Sequence, residues 1–320
     1  MKENNIIPIF LTIDEKYAPF AGVAIKSMQE NASKNYNYKI IILHQELTDA
    51  SLKKLSNLEN ENFKIEFVYM KDGLEKITDR AENKLRCDYF TLTIYFRLFI
   101  ADMFPQYEKA IYIDSDIVVP GDISELYNIQ LKENIIGASQ DHSIENIPVL
   151  VNYLENAIGV KKNEYINSGV LLMNLKEMRT TNFCNKFLTL LDKYHFDCVA
   201  PDQDYINAMC NGKILYLNQC WDAMPNNDQQ PLDNPKLIHY NLFQKPWCYD
   251  NIQYEEYFWN YAKKSDFYNE ILNFKKSYSD NQKKSDEDCL NLIMSKAGLI
   301  VNTDNTFKKR YENGEDIRLW

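Results

Sequence analysis

The chain has no C-x-x-C pair, and its seven cysteines, Cys87, Cys184, Cys198, Cys210, Cys220, Cys248 and Cys289, are odd in number and widely spaced. That pattern points away from a disulfide framework and from a zinc site, and towards reduced, mostly buried thiols. No cluster of lysine and arginine stands against the formal charge of -10, so the footprint that nucleic-acid binding requires is missing. An anionic small ligand would need local positive charge. No hydrophobic run approaches membrane-spanning length, and "MKENNIIPIFLTIDEKY" returns to charge after a short apolar stretch, without a small-residue cleavage site. A cytoplasmic protein is expected. Internal repeats are absent, as are low-complexity linkers up to about residue 250.

What is present is a long enough chain, 320 residues with 45% hydrophobic content, to bury a substantial core. Residues 7 to 13, "IPIFLTI", read as a buried strand, and "PFAGVAIKSMQENA" places Phe20, Val23, Ala24 and Met28 on one helical face. The alternation continues with strand 39 to 43, a helix opened by Thr48, and strand 63 to 70. It predicts an α/β fold with a largely parallel sheet flanked by helices. Residues 88 to 104, "DYFTLTIYFRLFIADMF", are apolar nearly all round and predict one buried helix, which leads into the strand "AIYI". Further strands are expected at 135 to 139, 169 to 175, 213 to 217 and 236 to 240, with a long helix near 176 to 194 and a short one from Asp202. Beyond Trp247 come two aromatic and charged helical stretches and then a polar tail. From Glu255 onward there are 11 basic and 12 acidic residues, so no polybasic patch supports membrane contact. Peripheral attachment at the inner membrane face is the one membrane role left open.

The strand "AIYI" ends in Asp114, with Asp116 two residues on. Strand ends are where an open α/β sheet presents ligand-binding residues, and two carboxylates in a turning backbone can share a hard divalent cation. Beside an apolar strand, an unpaired couple would suffer desolvation and mutual repulsion, both of which a cation relieves. A bare D-x-D is common in an acidic chain, and "PDQD" at 201 to 204 is another. Two enzyme classes use such a pair. A metal-dependent phosphohydrolase would use "DSDIV" with Asp114 as nucleophile, whereas a nucleotide-sugar transferase would use the pair to neutralise a diphosphate leaving group. The phosphohydrolase motif belongs after the first strand of its domain, and here three strands precede it.

Six ordered blocks, "TIDEKYAPFAGVAIKS", "TIYFRLFIADMFP", "YIDSDIVVPGDISELY", "YINSGVLLMNL", "PDQDYIN" and "HYNLFQKPW", resemble those of the retaining glycosyltransferase family 8, from about Ile7 to Trp247. The resemblance implies a GT-A type catalytic domain over 1–250, with 251–320 as a C-terminal helical extension packed on or beside it. It implies a hexosyltransferase that moves glucose or galactose from a UDP-sugar to a glycan, glycolipid or glycoprotein acceptor. Asp114, Asp116 and His239 would be metal ligands, for Mn2+ with Mg2+ as the alternative, since imidazole beside carboxylates suits Mn2+ better. Thr12, Asp14, Tyr17, Arg97, Ser115 and Lys245 would hold the donor. Asn167, Asp202, Gln203 and Asp204 would form the catalytic group, with Ser168 and Gly169 near the donor sugar, Asp204 supporting from beside it, and Asp141 on the acceptor side.

Each of these residues also has a plain structural reading. "PDQD" is an ordinary helix start, with Asp placed to accept first-turn N–H groups. Arg97 sits in an apolar run, and a buried guanidinium needs an anionic partner, whether structural carboxylate or nucleotide-sugar. One departure stands out: the family often has glycine three residues after the histidine, where this chain has Leu242. A catalytically silent nucleotide-sugar-binding protein is the third reading, opposed by the presence of His239 and Lys245.

Overall fold

The computed structural model describes residues 6–70, 92–226 and 229–320. The run "IIPIFLTI" has no polar side to turn towards water and becomes β1 (Ile6–Ile13), buried from Ile7 onward. Asp14 caps the single 3-10 turn that follows by accepting the Tyr17 N–H, and α1 (Ala18–Asn31) begins with Pro19 in its first turn. β2 (Asn37–His44), α2 (Asp49–Ser56) and β3 (Phe63–Tyr69) continue the alternation, and Thr48 caps α2 through the Ser51 N–H.

The expected helix over 88–104 is wound differently. Residues 88–91, like Cys87, lie outside the described residues; Leu92–Phe99 form a 3-10 helix that becomes α-helical only in α3 (Ile100–Met103). Tyr95, Phe96, Leu98 and Ile100 are buried, and a segment with no solvent face takes its winding from what packs on it. The chain then enters β4 (Ala110–Ile113), β5 (Ile117–Val118), α4 (Ile123–Asn128), β6 (Ile136–Ala138), α5 (Pro148–Tyr153) and β7 (Val170–Met173). The long helix expected near 176 to 194 is two, α6 (Leu175–Thr180) and α7 (Phe183–Tyr194), parted at Asn182, whose φ of 52° is left-handed and tolerable for asparagine. α8 (Pro201–Cys210), β8 (Ile214–Tyr216) and β9 (Ile238–His239) follow.

Four helices complete the chain: α9 (Glu255–Ala262), α10 (Tyr268–Ser277), α11 (Asp280–Ile300) and α12 (Phe307–Glu312). The last two replace the expected polar tail. α11 starts on a capping box between Ser279 and Gln282 and buries Ile293, Ala297 and Ile300, a narrow stripe at helical spacing in an otherwise polar sequence. No helix among the described residues is long and apolar enough to cross a membrane.

The main sheet has the order β3-β2-β1-β4-β7-β6-β8. β1 is parallel to β2 and to β4, while β7 runs antiparallel to both β4 and β6. β4 and β6 therefore point the same way, and their carboxyl ends share one edge. Pro8 lies in this inner strand opposite Lys39 of β2, one residue before the pairing with β4 begins at Ile9. Period-two alternation splits the core: Phe10, Ile41, Tyr112 and Leu171 face one side, and Ile9, Leu11, Ile40, Ile111 and Leu172 the other. The C-terminal helices serve both sides. Phe258, Phe267 and Ile271 join the core beneath α1, whereas Ile293, Ala297 and Phe307 join the opposite one.

Candidate active site

Three side chains from distant parts of the chain converge at the end of β4. Asp114 and Asp116 follow the strand directly, and His239 arrives because β5 and β9 pair antiparallel, with Ile117 opposite His239. The Tyr240 N–H donates to the Asp116 carbonyl at 2.9 Å, which fixes that register. One ligand-capable atom from each of Asp114, Asp116 and His239 lies within 4.8 Å of the others. His239 Nε2 is 3.4 Å from Asp116 Oδ1 and 3.9 Å from Asp114 Oδ2. Gly169 closes the site from behind. A Cβ there would lie 2.3 Å from His239 Cε1 and 2.7 Å from Asp114 Oδ2, so only glycine lets β7 pass.

Burial makes the electrostatics of this cluster strong. Lys245 donates to Asp116 Oδ2 at 2.5 Å and to the Tyr240 carbonyl at 2.8 Å. Burial alone would raise the Asp116 pKa, but Lys245 and His239 outweigh it and hold the carboxyl well below the usual carboxylate range. Asp116 Oδ1 nevertheless accepts no hydrogen bond among the described residues. His239 Nδ1 lies 3.0 Å from Asp222 Oδ1. Burial works against the imidazolium, yet Asp116 and Asp222 together raise the His239 pKa to about 10. Asp222 itself is pushed up to about 6 by burial, with His239 acting in the opposite direction. Two carboxylates, Asp116 buried with its Oδ1 left open and Asp114 facing the cavity, beside a buried imidazole that would give up its Nε2 proton to the ion, fit a divalent cation such as Mn2+.

Arg97 joins this cluster to the neighbouring polar floor. Its guanidinium donates to Asp114 Oδ1 at 2.9 Å and to the Ser168 carbonyl at 2.6 Å, and its Nε is 3.3 Å from Asp202 Oδ2. On that floor Gln203 Nε2 donates to Asp141 Oδ2 at 2.9 Å, while Gln203 Oε1 accepts the Ser168 N–H at 2.9 Å. Asn167 Nδ2 donates to the same Asp141 oxygen at 3.2 Å and Asn167 Oδ1 accepts the Gly169 N–H. Each amide is thus held between a donor-only N–H and an acceptor-only carboxylate, which fixes its orientation.

A cavity opens over this floor. Arg97, Asp114, Asp141, Asn167, Asp202, Gln203 and His239 all line it. Asp116 and Lys245 sit beside the cavity, buried. Thr12, Asp14, Tyr17 and Ser115 do not line it but stand at the ends of β1 and β4. Thr12 shares a 2.8 Å hydrogen bond with the Tyr112 hydroxyl, which in turn donates to Asp114 Oδ1 at 2.6 Å. Tyr17 is half-buried, edge-on to Phe20. Asp204 lies beneath the floor. It accepts from the Tyr153 and Tyr165 hydroxyls and from the Val199 and Ala200 N–H groups, at 2.6 to 3.1 Å. Burial raises its pKa to about 6 despite these four donors.

Two features escape the sequence reading. Asp222, the partner of His239, was signalled only by a lone acidic residue inside the apolar "CWDAM". The cavity's apolar wall, which includes Leu290 and Ile293 of α11, had no motif to announce it. Leu242, noted for standing where glycine is usual, has a φ of 52° and lines the cavity. Leucine here adopts the left-handed backbone that glycine would adopt without strain.

A mostly parallel sheet that presents an Asp-x-Asp pair and a histidine at the carboxyl end of an inner strand has the GT-A architecture of sugar transferases. The profile of "Glycosyl transferase family 8" matches residues 8–251. The chain belongs to that family and, with it, to the sugar-transferring enzymes, which removes the phosphohydrolase alternative. It is 24% identical over 260 residues to the lipopolysaccharide 1,2-glucosyltransferase of Escherichia coli K12, covering 76% of this chain and 74% of that one. A Haemophilus influenzae relative is 28% identical over 220 residues, and the match spans 64% of its length. Among solved structures, the galactosyltransferase LgtC, in complex with donor and acceptor sugar analogs, superposes with a TM-score of 0.69 at 24% identity, covering 81% of this chain and 96% of LgtC. The bifunctional glycosyltransferase WbbM gives 0.74 at 24% identity, over 87% of this chain and 53% of WbbM. These two likenesses establish the fold.

Proposed function

We propose that this chain transfers a hexose, glucose or galactose, from a UDP-sugar to a carbohydrate acceptor, with a divalent cation held by Asp114, Asp116 and His239. The observation that carries the reading is the trio itself, Asp116 and His239 buried and Asp114 at the cavity, with its orphaned Asp116 Oδ1. A cation there, Mn2+ by its donor set, supplies positive charge against the diphosphate leaving group. Lys245, already beside Asp116, adds a second positive charge for that group. Thr12, Asp14, Tyr17 and Ser115 stand where β1 and β4 end, and we assign them the nucleoside. The Arg97 guanidinium holds Asp114 and Asp202 in fixed relation, so the metal end and the sugar end of the site keep their spacing.

Asp202, Gln203 and Asn167 then face the sugar, and Asp141 faces the acceptor. These fixed oxygens would stabilise the positive charge that builds on the sugar ring as its bond to the diphosphate breaks. Asp204 supports the floor from below. Residues 1–250 are assigned the transfer chemistry and 251–320 the helices that complete both cores. The free thiols described, Cys184, Cys198, Cys210, Cys220, Cys248 and Cys289, suit the reducing cytoplasm.

Thermal unfolding with UDP, UDP-glucose and UDP-galactose, each with Mn2+ or with EDTA, tests this reading, because a ligand that binds only the native state raises its stability. A rise that EDTA removes is the expected result, and the size of the rise ranks the sugars. No rise with any uridine nucleotide would overturn it. A rise without transfer to any acceptor would favour the silent binding protein.

A further inference from the structure

The cavity over the polar floor has two unlike halves. One is the row of Asp141, Asn167, Asp202 and Gln203 described above. The other is lined by Ile144, Ile147 and Leu150, by Leu290 and Ile293 of α11, and by Leu242. None of these six side chains can donate or accept a hydrogen bond, so the hydroxyls of a sugar placed against them would lose water without replacement.

Two observations separate this wall from ordinary core. Leu290 and Ile293 lie outside residues 8–251, the part matched by the family profile, so two of the six wall residues come from the C-terminal helices rather than from the matched part. Leu242 carries its side chain on a left-handed backbone, φ 52°, where a glycine would sit without strain. Strain of this kind persists only where the surroundings impose it, and it gathers at ligand sites. Here it keeps a leucine in the cavity, two residues from Tyr240 and three from His239.

We propose that the acceptor is a glycoside with an apolar aglycone: its sugar hydroxyls meet Asp141 at the edge of the floor, and an alkyl or aryl group on its anomeric oxygen lies against Leu242, Leu290 and Ile293. The inference rests on the transferase reading above and specifies its acceptor. A sugar bearing a hydrocarbon chain matches both halves of the cavity at once, which a free sugar does not. The polar half fixes the reacting hydroxyl, and the apolar half supplies affinity in proportion to the carbon buried.

Calorimetric titration of the full chain, loaded with UDP and Mn2+, with n-hexyl and with methyl glucosides and galactosides tests this. The hexyl member of at least one pair should bind at least ten-fold more tightly than its methyl partner. Leu242→Gly and Leu290→Ser should each reduce that ratio at least three-fold. In Leu242→Gly the relief of backbone strain offsets the greater freedom of the unfolded chain, so the unfolding temperature should stay within about 5 °C of wild type, which separates loss of the wall from loss of the fold. Equal affinities of hexyl and methyl glycosides, or no binding of either to protein that binds UDP and Mn2+, would overturn the proposal and leave the donor reading intact. A hexyl preference that both variants retain would place the hydrocarbon elsewhere and overturn it too. Failure to bind UDP at all would instead remove the reading on which it rests.

Discussion

The surroundings of Asp116 and Asp204 make an instructive pair. Both carboxylates are buried, at 1% and 0% exposure, and both follow motifs that look alike in sequence, "DSD" and "DQD". Asp204 is satisfied within the protein: two tyrosine hydroxyls and two backbone N–H groups fill its lone pairs. Asp116 is crowded by positive charge, from Lys245 and His239, yet one of its oxygens accepts no hydrogen bond among the described residues. A buried carboxylate that the fold completes serves structure. One that the fold leaves open, beside an imidazole and a second carboxylate, calls for a ligand.

The comparison breaks most sharply at Asp116→Asn. Loss of its charge should reduce Mn2+-dependent UDP binding and transfer by about 100-fold or more, as expected for removal of a metal-held charge. Far-UV circular dichroism would check that the fold survives, since Lys245 would lose its partner. Binding unchanged within a few-fold would mean that the trio does not hold the cation.

Gly169→Ala comes next. The added methyl meets His239 Cε1 and Asp114 Oδ2 below contact distance, so one ligand must move, and metal affinity measured by Mn2+ titration should fall by about 10- to 100-fold. Asp222→Asn is milder, because His239 keeps a hydrogen-bonding partner at Nδ1 but loses the charge that favours that tautomer. A roughly 10-fold fall in Mn2+ affinity is expected, with UDP affinity at saturating Mn2+ changed less. Equal losses in both would mean that Asp222 does more than orient the imidazole.

Much of this arrangement was legible from sequence. The alternation of apolar runs foretold β1, β2 and β3 and the helices between them: β1 and β2 are buried on both faces and cannot hide their hydrophobicity, and the half-buried edge strand β3 still carries aromatic and β-branched residues. Asp114 and Asp116 were readable as a candidate cation pair from their place at a strand end, but His239 joined them only through the family resemblance, since the pairing of β5 with β9 that brings it there is two residues long and leaves no periodic trace. Helix α11 was missed because its buried stripe, Ile293, Ala297 and Ile300, is narrow and its other faces are charged. The break at Asn182 was missed because asparagine is also at home within a helix, and the left-handed turn is imposed by packing. Asp204 and Asp116 could not be told apart, because what distinguishes them comes from Tyr153, Tyr165 and Lys245, all far away in sequence.

Asp204→Asn sharpens the comparison from the other side and should have the smallest effect on binding, about two- to three-fold. Its effect is on stability, and its sign depends on which influence governs the carboxyl. Burial raises the Asp204 pKa from an ordinary 3.8 to about 6, so the folded chain retains a proton that the unfolded chain releases. Stability contributed by Asp204 is therefore present in full below about pH 4 and declines as pH rises through 6, by roughly 3 kcal/mol for a shift of about two units. Asparagine cannot release that proton. The stability gap between wild type and Asp204→Asn, from urea unfolding at pH 4, 5, 6 and 7, should thus move in the variant's favour as pH rises. A gap moving the other way would mean that the four donated hydrogen bonds outweigh burial and hold the carboxylate ionised. Asp204 would then resemble Asp116 in charge, and what separates the two would be the supply of donors alone.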